Sequence, residues 1–382
     1  MHRNRIKLSV VAITAFGGMV FANSLSECKA DGYLRAGFQN HKIDNKEFKD
    51  LSIGAKLHIE NSITDNISWG ASFYASNKLK YNDGMGVPFF DSNNNSYAIL
   101  GEAYIESTFK NSSLKIGRQE LDTPFADSDD IAMIPNSFEA AIFTSNYLAN
   151  SSIFLGYIKR WAGVDAPKPE KFTSMQNGKG VGVFGITYEG INNLKLSSWY
   201  YKLNSKKSGD LKNILYLEAT YSNNIANNIE YEVAFQYAKQ SFLNQQDANI
   251  LGANLSINSK NSGLSFDFAY NRVTKNSATN GFGGGAFFTS AEHLTIDGMG
   301  SNIKAYKAGF KWDASAINLN GLSLEYNYLK IKSNNKSAKE SDYLLNYEIN
   351  KNLNLSLIYS DAKDYINSEK FKNLRFFANY TF

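Results

Sequence analysis

Along most of its length the chain repeats one pattern, with apolar residues at every second position and polar residues between them. In 66–77 the apolar set is Ile67, Trp69, Ala71, Phe73 and Ala75, against Ser68, Ser72 and Ser76. In 228–239 it is Ile229, Tyr231, Val233, Phe235 and Tyr237, against Glu230, Glu232 and Gln236. In 262–273 it is Leu264, Phe266, Phe268 and Tyr270, against Ser265, Asp267 and Asn271. A period of two sends alternate side chains to opposite faces of a β-strand. Eighteen such strands are predicted, at 31–41, 50–60, 66–77, 96–109, 113–118, 138–147, 151–161, 179–190, 193–203, 211–222, 228–239, 247–257, 262–273, 303–313, 320–331, 339–349, 352–361 and 371–382. Most are near the ~9–11 residues that a tilted strand needs to cross a bilayer. The last places Leu374, Phe376, Ala378, Tyr380 and Phe382 on one face and ends the chain on an aromatic. Left as an edge, such a strand invites aggregation. Pairing it with the first strand closes a barrel and removes the edge.

The gaps between strands check the count. If the first strand rises from the periplasm, the odd gaps are external and include 78–95, 119–137, 162–178 and 274–302. The even gaps are periplasmic and include 110–112, 148–150 and 191–192. Long connections on one side and short turns on the other are the asymmetry of outer-membrane barrels. One missed strand would scramble it. The expected fold is all-β, a transmembrane antiparallel barrel of eighteen strands.

Composition agrees. Aromatics make up 14% of the chain, and mean hydropathy is negative. Outer-membrane barrels combine a polar average with aromatic girdles. At the N-terminus, His2, Arg3, Arg5 and Lys7 precede an apolar run from Leu8 to Phe21, and Val20-Phe21-Ala22 fits a cleavage site. We read 1–22 as a cleaved signal peptide and 23–382 as one barrel domain. Removing the three cations Arg3, Arg5 and Lys7 takes the formal charge from +4 to about +1, so the basic balance does not argue for nucleic acid. The single cysteine, Cys28, allows no intrachain disulfide. The expected location is the outer membrane of a Gram-negative bacterium.

The faces opposite lipid are polar, so the interior is hydrated, and a barrel of sixteen to eighteen strands leaves an aqueous channel. Something must narrow it. The third external gap, 119–137, carries Asp122, Asp127, Asp129 and Asp130 together with Leu121, Phe125, Ile131, Met133 and Ile134. A wholly exposed loop needs no such apolar set; packed inward against the wall, it forms a constriction with its acids toward water. Arg118 and Glu139, at the flanking strand ends, are expected to border it. Arg118 falls on the lipid-facing parity, so it either sits above the bilayer or is turned inward by a bulge. Inward basic candidates are Arg35, Lys56, Lys115, Lys195, Lys307, Lys311 and Arg375. Arg375, Arg35 and Lys56 fall on three neighbouring strands, a track able to pass a carboxylate along. The alternative is that these cations neutralise inward acids such as Glu60, Glu102, Glu106, Glu218 and Glu325.

Several segments resemble known families. The C-terminal strand, with Phe376, Tyr380 and Phe382, resembles the signal that outer-membrane barrels present to their assembly machinery. The chain as a whole resembles the OprD-like outer-membrane porins, in their epsilon-proteobacterial branch. The matching residues are Gly117-Arg118-Gln119, Thr123-Pro124, Asp129-Asp130, Pro135-Asn136-Ser137-Phe138-Glu139, Phe287-Phe288-Thr289-Ser290 and the aromatic tail. The resemblance implies an eighteen-stranded barrel whose third loop constricts the lumen. It also implies passage of small solutes such as carboxylates, amino acids or peptides along a basic ladder opposite acidic groups. Ala132 stands where members of the family often carry arginine, which weakens the basic side.

Other signals point elsewhere and are weaker. Gly281-Phe282-Gly283-Gly284-Gly285-Ala286 lacks the strand and helix that a dinucleotide fingerprint needs and reads as a mobile loop within the longest gap, 274–302. His2, His41, His58 and His293 are scattered, and no Gly-x-Ser-x-Gly elbow is present, so no enzyme is expected. The loop aspartates lack EF-hand spacing, and no metal or cofactor is expected. The expected function is diffusion of small hydrophilic solutes (ions, amino acids, small carboxylates or peptides) through an outer-membrane porin. The alternative is a structural or adhesive surface barrel without specific transport. Expected partners are outer-membrane lipid and lipopolysaccharide, the barrel assembly machinery and the solutes; the sequence does not decide between a monomer and a homotrimer.

Overall fold

The computed structural model describes residues 28–81, 88–334 and 336–382. The leader read at 1–22 lies outside them. Eighteen strands make the barrel wall. The first nine are β1 (Lys29–Ile43), β2 (Lys46–Thr64), β3 (Ile67–Tyr81), β4 (Tyr97–Phe109), β5 (Ser112–Gln119), β6 (Ser137–Ser145), β7 (Ser151–Ala162), β8 (Val181–Ile191) and β9 (Leu194–Leu203). The rest are β10 (Leu211–Ala226), β11 (Ile229–Phe242), β12 (Ala248–Ser259), β13 (Leu264–Lys275), β14 (Ile303–Asp313), β15 (Leu322–Ser333), β16 (Lys336–Asn350), β17 (Leu353–Asp364) and β18 (Glu369–Thr381). Every neighbouring pair is antiparallel. The ring closes where β18 pairs with β1, from Tyr33↔Thr381 to Ile43↔Phe371. Phe382 completes the seam by exchanging backbone hydrogen bonds with Gly32. A side chain at Gly32 would meet the Lys56 carbonyl at 2.0 Å, so the closure needs a glycine there.

No helix among the described residues is long and apolar enough to cross a membrane; the crossing is made by strands. The outward faces carry the predicted apolar sets: Phe73, Phe235 and Phe268 are exposed, Phe235 by 60%. Only a hydrocarbon solvent makes that arrangement favourable, at roughly 25 cal/mol per Å² of apolar surface kept from water.

Several strands outrun their predicted limits. β2 has 19 residues, well beyond the about 9–11 that cross the bilayer. The predicted gap 42–49 therefore shrinks to 44–45, and around the predicted gap 332–338 β15 runs on to Ser333 and β16 begins at Lys336. Above the membrane a paired strand can carry lysines on its outer face, which the sequence pattern reads as loop.

Trp161 shares the alternation of Ile153, Leu155 and Tyr157, which would turn it to lipid, yet it faces the lumen. It is buried and stacks on Phe138 at 6.0 Å between ring centroids. The β6–β7 register steps from Glu139↔Arg160 to Ala140↔Ile158, leaving Lys159 as an extra residue. Such a bulge reverses the parity of everything beyond it.

Candidate pore constriction

The third external loop (120–136) folds into the barrel and reaches both sides of it. At its tip a short hairpin pairs Asp122–Thr123 with Ala126–Asp127. The hairpin carries Phe125, fully buried, to the wall at β9 and β10. There its ring meets Tyr201 and Tyr216 edge-on at 5.6 and 5.7 Å. The returning half of the loop crosses to β1, which lies nine strands from β10 in a ring of eighteen.

At β1 the loop is stapled. The Arg35 guanidinium forms a two-pronged bridge to Asp130, at 2.6 and 2.7 Å. It also donates to Asn379 on β18 at 2.6 Å and to the Ala132 carbonyl. Tyr33 donates to the Met133 carbonyl at 3.2 Å. Met133 sits over Gly37 and Gly54: a Cβ on either would fall 2.6 or 2.8 Å from its Sδ or Cε. Beside it, Arg375 of β18 donates to the Ile131 carbonyl at 3.3 Å and bridges Glu292. Planar bidentate pairing of this kind fixes geometry as well as energy.

A second loop lies inside. The seventh external loop (276–302) packs Phe287, Leu294, Ile296 and Met299 against the wall and out of water. Glu340 of β16 accepts from the backbone amides of His293 and Leu294 at 2.9 and 2.6 Å. Phe282 donates its amide to the Phe125 carbonyl at 2.9 Å, and its own carbonyl accepts from Asp127, which joins the two inward loops. The glycine run read as a mobile loop is therefore packed. Gly283 has φ +93°, and a Cβ there would lie 2.6 Å from the Asp127 carbonyl. No side chain fits that crossing.

The structure separates the predicted site residues into three groups. Arg35 and Arg375 are inward but almost fully buried, their guanidinia taken up by the loops. Lys56 and Lys115 are inward and reach water, facing carboxylates. Lys56 lies 2.9 Å from Glu120 and 3.4 Å from Glu102, and Lys115 lies 3.2 Å from Glu106. His58 stands 3.7 Å from both Glu60 and Glu102. Lys307 donates to the Ser290 carbonyl of the seventh loop at 2.9 Å, and Lys311 is exposed near the periplasmic end. Lys195 lines a cavity of about 410 Å³ with Asp122, Asp127 and Glu218. A smaller cavity of about 320 Å³ is bounded by Tyr33, Lys56, Glu120 and Asp130.

Arg118 and Glu139 belong to the third group, which corrects the expectation that they border the constriction. The regular β5–β6 register pairs Arg118 with Glu139 and Ile116 with Ala141. Phe138 and Ala140 flank Glu139 and belong to the inner cluster, so Glu139 points outward. Arg118 shares that outer face with the exposed Ile116, and its guanidinium lies 4.5 Å over Phe172. Glu139 bridges Arg160 on β7. Phe376, Tyr380 and Phe382 are also outward, at the seam. Glu120, Tyr74 (whose hydroxyl donates to Glu120), Glu292 and the Gly37–Gly54 seat were not singled out from sequence. The seat's only signal was a glycine at an inward position on each of two neighbouring strands.

Where the third loop meets the fourth (163–180), three carboxylates gather. Asn136 donates to Asp165 at 2.8 Å and to the Asp127 carbonyl at 3.0 Å. Asp129, in a left-handed conformation (φ +40°), hydrogen-bonds to Asp165. Burial first, then the Asp165 and Asp127 carboxylates, push Asp129 up to about 7. Among the described residues no group of three His, Cys, Asp or Glu is placed to hold a metal ion.

A closed, water-filled barrel of eighteen strands with an inward third loop defines a porin. The family model for outer membrane porins of the OprD family matches residues 90–382, and the chain belongs to that family. Solved structures share the fold. OccK8 (OprE) of Pseudomonas aeruginosa superposes with a TM-score of 0.78 at 15% identity, covering 94% of this chain and 99% of that one. OccAB4 of Acinetobacter baumannii gives 0.76 at 18% identity, covering 94% and 98%. OpdK of Pseudomonas aeruginosa, solved with vanillate, gives 0.78 at 14%, covering 93% and 98%. No curated protein sequence matches this chain. The protein is an outer-membrane channel for small solutes, and family and fold speak for a channel rather than an enzyme.

Two predictions follow from the loop geometry. Gly37→Val drives a side chain into Met133 and lifts the loop, so single-channel conductance should rise. Adding Met133→Ala should return it toward wild type; an unchanged Gly37→Val conductance would refute the seat. Below about pH 7 a protonated Asp129 donates to Asp165 and holds the third and fourth loops together. Above it both carboxylates are charged and repel. Current fluctuations should therefore increase as pH rises through about 7, and Asp129→Asn should remove that dependence.

Proposed function

We propose that the channel passes small cationic and zwitterionic solutes in preference to anions. The observation that carries this reading is the fate of Arg35 and Arg375. Both are spent on holding the loops, at Asp130 and Glu292. What faces the remaining water is mainly acidic. On the β2–β5 wall, Glu60 and Glu106, with Glu120 at the loop's start, face Lys56, Lys115 and His58, while Glu102 is buried beside Lys56 and His58. The larger cavity sets Asp122, Asp127 and Glu218 against Lys195. A low-dielectric wall focuses such a field along the path. Ala132 adds no cation where the resemblance leads one to expect it.

A carboxylate-selective channel is the competing reading, supported by the vanillate in OpdK. It would need the arginines open to the path. Assembly through the C-terminal strand belongs to the same proposal, since Tyr380 and Phe382 lie exposed at the seam.

Liposome swelling with amino acids of similar size tests it. Lysine should enter faster than glutamate by about fivefold, the factor given by roughly 1 kcal/mol of Coulomb preference. Faster entry of glutamate would overturn the proposal.

A further inference from the structure

The outer face carries a feature that the channel does not use. On β13 to β1, the external ends of the strands turn cations outward. Register puts these cations side by side. Arg272 is paired with Lys304, and Lys304 with Lys332. Lys330 is paired with Lys339, Lys339 with Lys363, and Lys363 with Lys370. Across the seam, Lys372 is paired with Lys42. Their neighbours along each strand, such as Ile303, Ile331, Ala338, Ala362 and Phe371, are buried inward, which fixes the cations on the other face. Like charges directly opposite on adjacent strands destabilise a sheet unless something neutralises them. Acids on this face are few: Asp361 lies 3.1 Å from Lys372, and Glu47 lies 3.3 Å from Lys49.

The height of the row is marked by aromatics. Tyr270 and Tyr306 pair at 5.2 Å just below Arg272 and Lys304. Lower on the outer wall, four residues below Lys330, Lys339 and Lys363, Tyr326, Tyr343 and Tyr359 pack in a row at 5.0 and 6.1 Å between ring centroids. Lys332 reaches down to 5.7 Å above the Tyr306 ring. Outward tyrosines mark the membrane–water interface of a barrel. The cations above these rings stand on the external side, toward the lipid headgroups.

We infer that this one-sided girdle, running from β13 through the β18–β1 seam, binds the phosphate groups of the outer leaflet's phosphorylated glycolipid, lipopolysaccharide. A row of closely spaced lysines suits a dense array of lipid-borne phosphates. The same row would stabilise the seam by screening its own repulsion with lipid charge. The inference is independent of which solute the pore passes.

The test uses the refolded full-length chain in detergent, titrated with purified deep-rough lipopolysaccharide and with the same lipid after enzymatic dephosphorylation, with bound lipid counted by native mass spectrometry. The phosphorylated lipid should bind saturably, and the dephosphorylated one at least about tenfold more weakly. Lys304→Gln/Lys339→Gln/Lys363→Gln/Lys370→Gln should lose the same factor while keeping wild-type conductance. The control Lys110→Gln/Lys351→Gln, in periplasmic turns, should bind as wild type. Equal binding of the two lipids by the wild-type chain would overturn the inference, as would undiminished binding by the quadruple variant. Stronger binding of a soluble polyanion such as heparin than of the lipid would overturn it too, and would point to an extracellular polymer instead.

Discussion

The fork between Arg35 and Asp130 is the contact on which the pore depends. An eighteen-stranded ring leaves a lumen far wider than a small solute, and only what crosses it gives selectivity. The third loop crosses because it is held at both ends: by an aromatic anchor, Phe125 between Tyr201 and Tyr216, and by a charged one at Arg35. The two differ in kind. The aromatic anchor is non-directional burial, whereas the guanidinium fixes distance and angle and binds Asn379 and Ala132 as well. Removing one partner of a buried pair typically costs about 3–5 kcal/mol; Asp130 stays partly open to water, so the cost here is smaller. The seat at Gly37 and Gly54 lets the loop backbone approach, because no side chain stands in the way.

The architecture was legible in the sequence, because a barrel strand in lipid must alternate and the alternation survives in each segment. Loop parity gave the topology for the same reason. Three kinds of information were hidden. Strand ends above the membrane need not be apolar outside, so Lys42 and Lys336 looked like loop. The bulge at Lys159 leaves no mark in composition, yet it turned Trp161 inward. The third kind is what an inward cation touches. Parity correctly placed Arg35, Lys56 and Arg375 on neighbouring strands facing the lumen. It could not tell an open ladder from a set of staples, because Asp130, Glu120 and Glu292 arrive from distant loops. Arg118 shows the reverse error: adjacency to the loop in sequence suggested a site, although strand parity had already assigned the residue to the other face, which its register partner Glu139 shares.

The inner and outer charges therefore serve different ends. Inside, arginines are spent on architecture, which leaves carboxylates beside the path. The seventh loop belongs to this division, since its Glu292 occupies Arg375 and its glycines let Phe282 bond to the constriction hairpin. Outside, lysines that would repel one another on a soluble sheet are ranked above a tyrosine band. Both arrangements follow from one geometric fact: alternate residues of each strand meet entirely different solvents.

The reversal potential of the purified protein in a planar bilayer under a potassium chloride gradient tests the central claim most directly. If the arginines are staples and the water-filled path is acidic, the wild-type channel is cation-selective. Anion selectivity would contradict the account, because it would mean that the cations of the inner wall, rather than its carboxylates, govern the path.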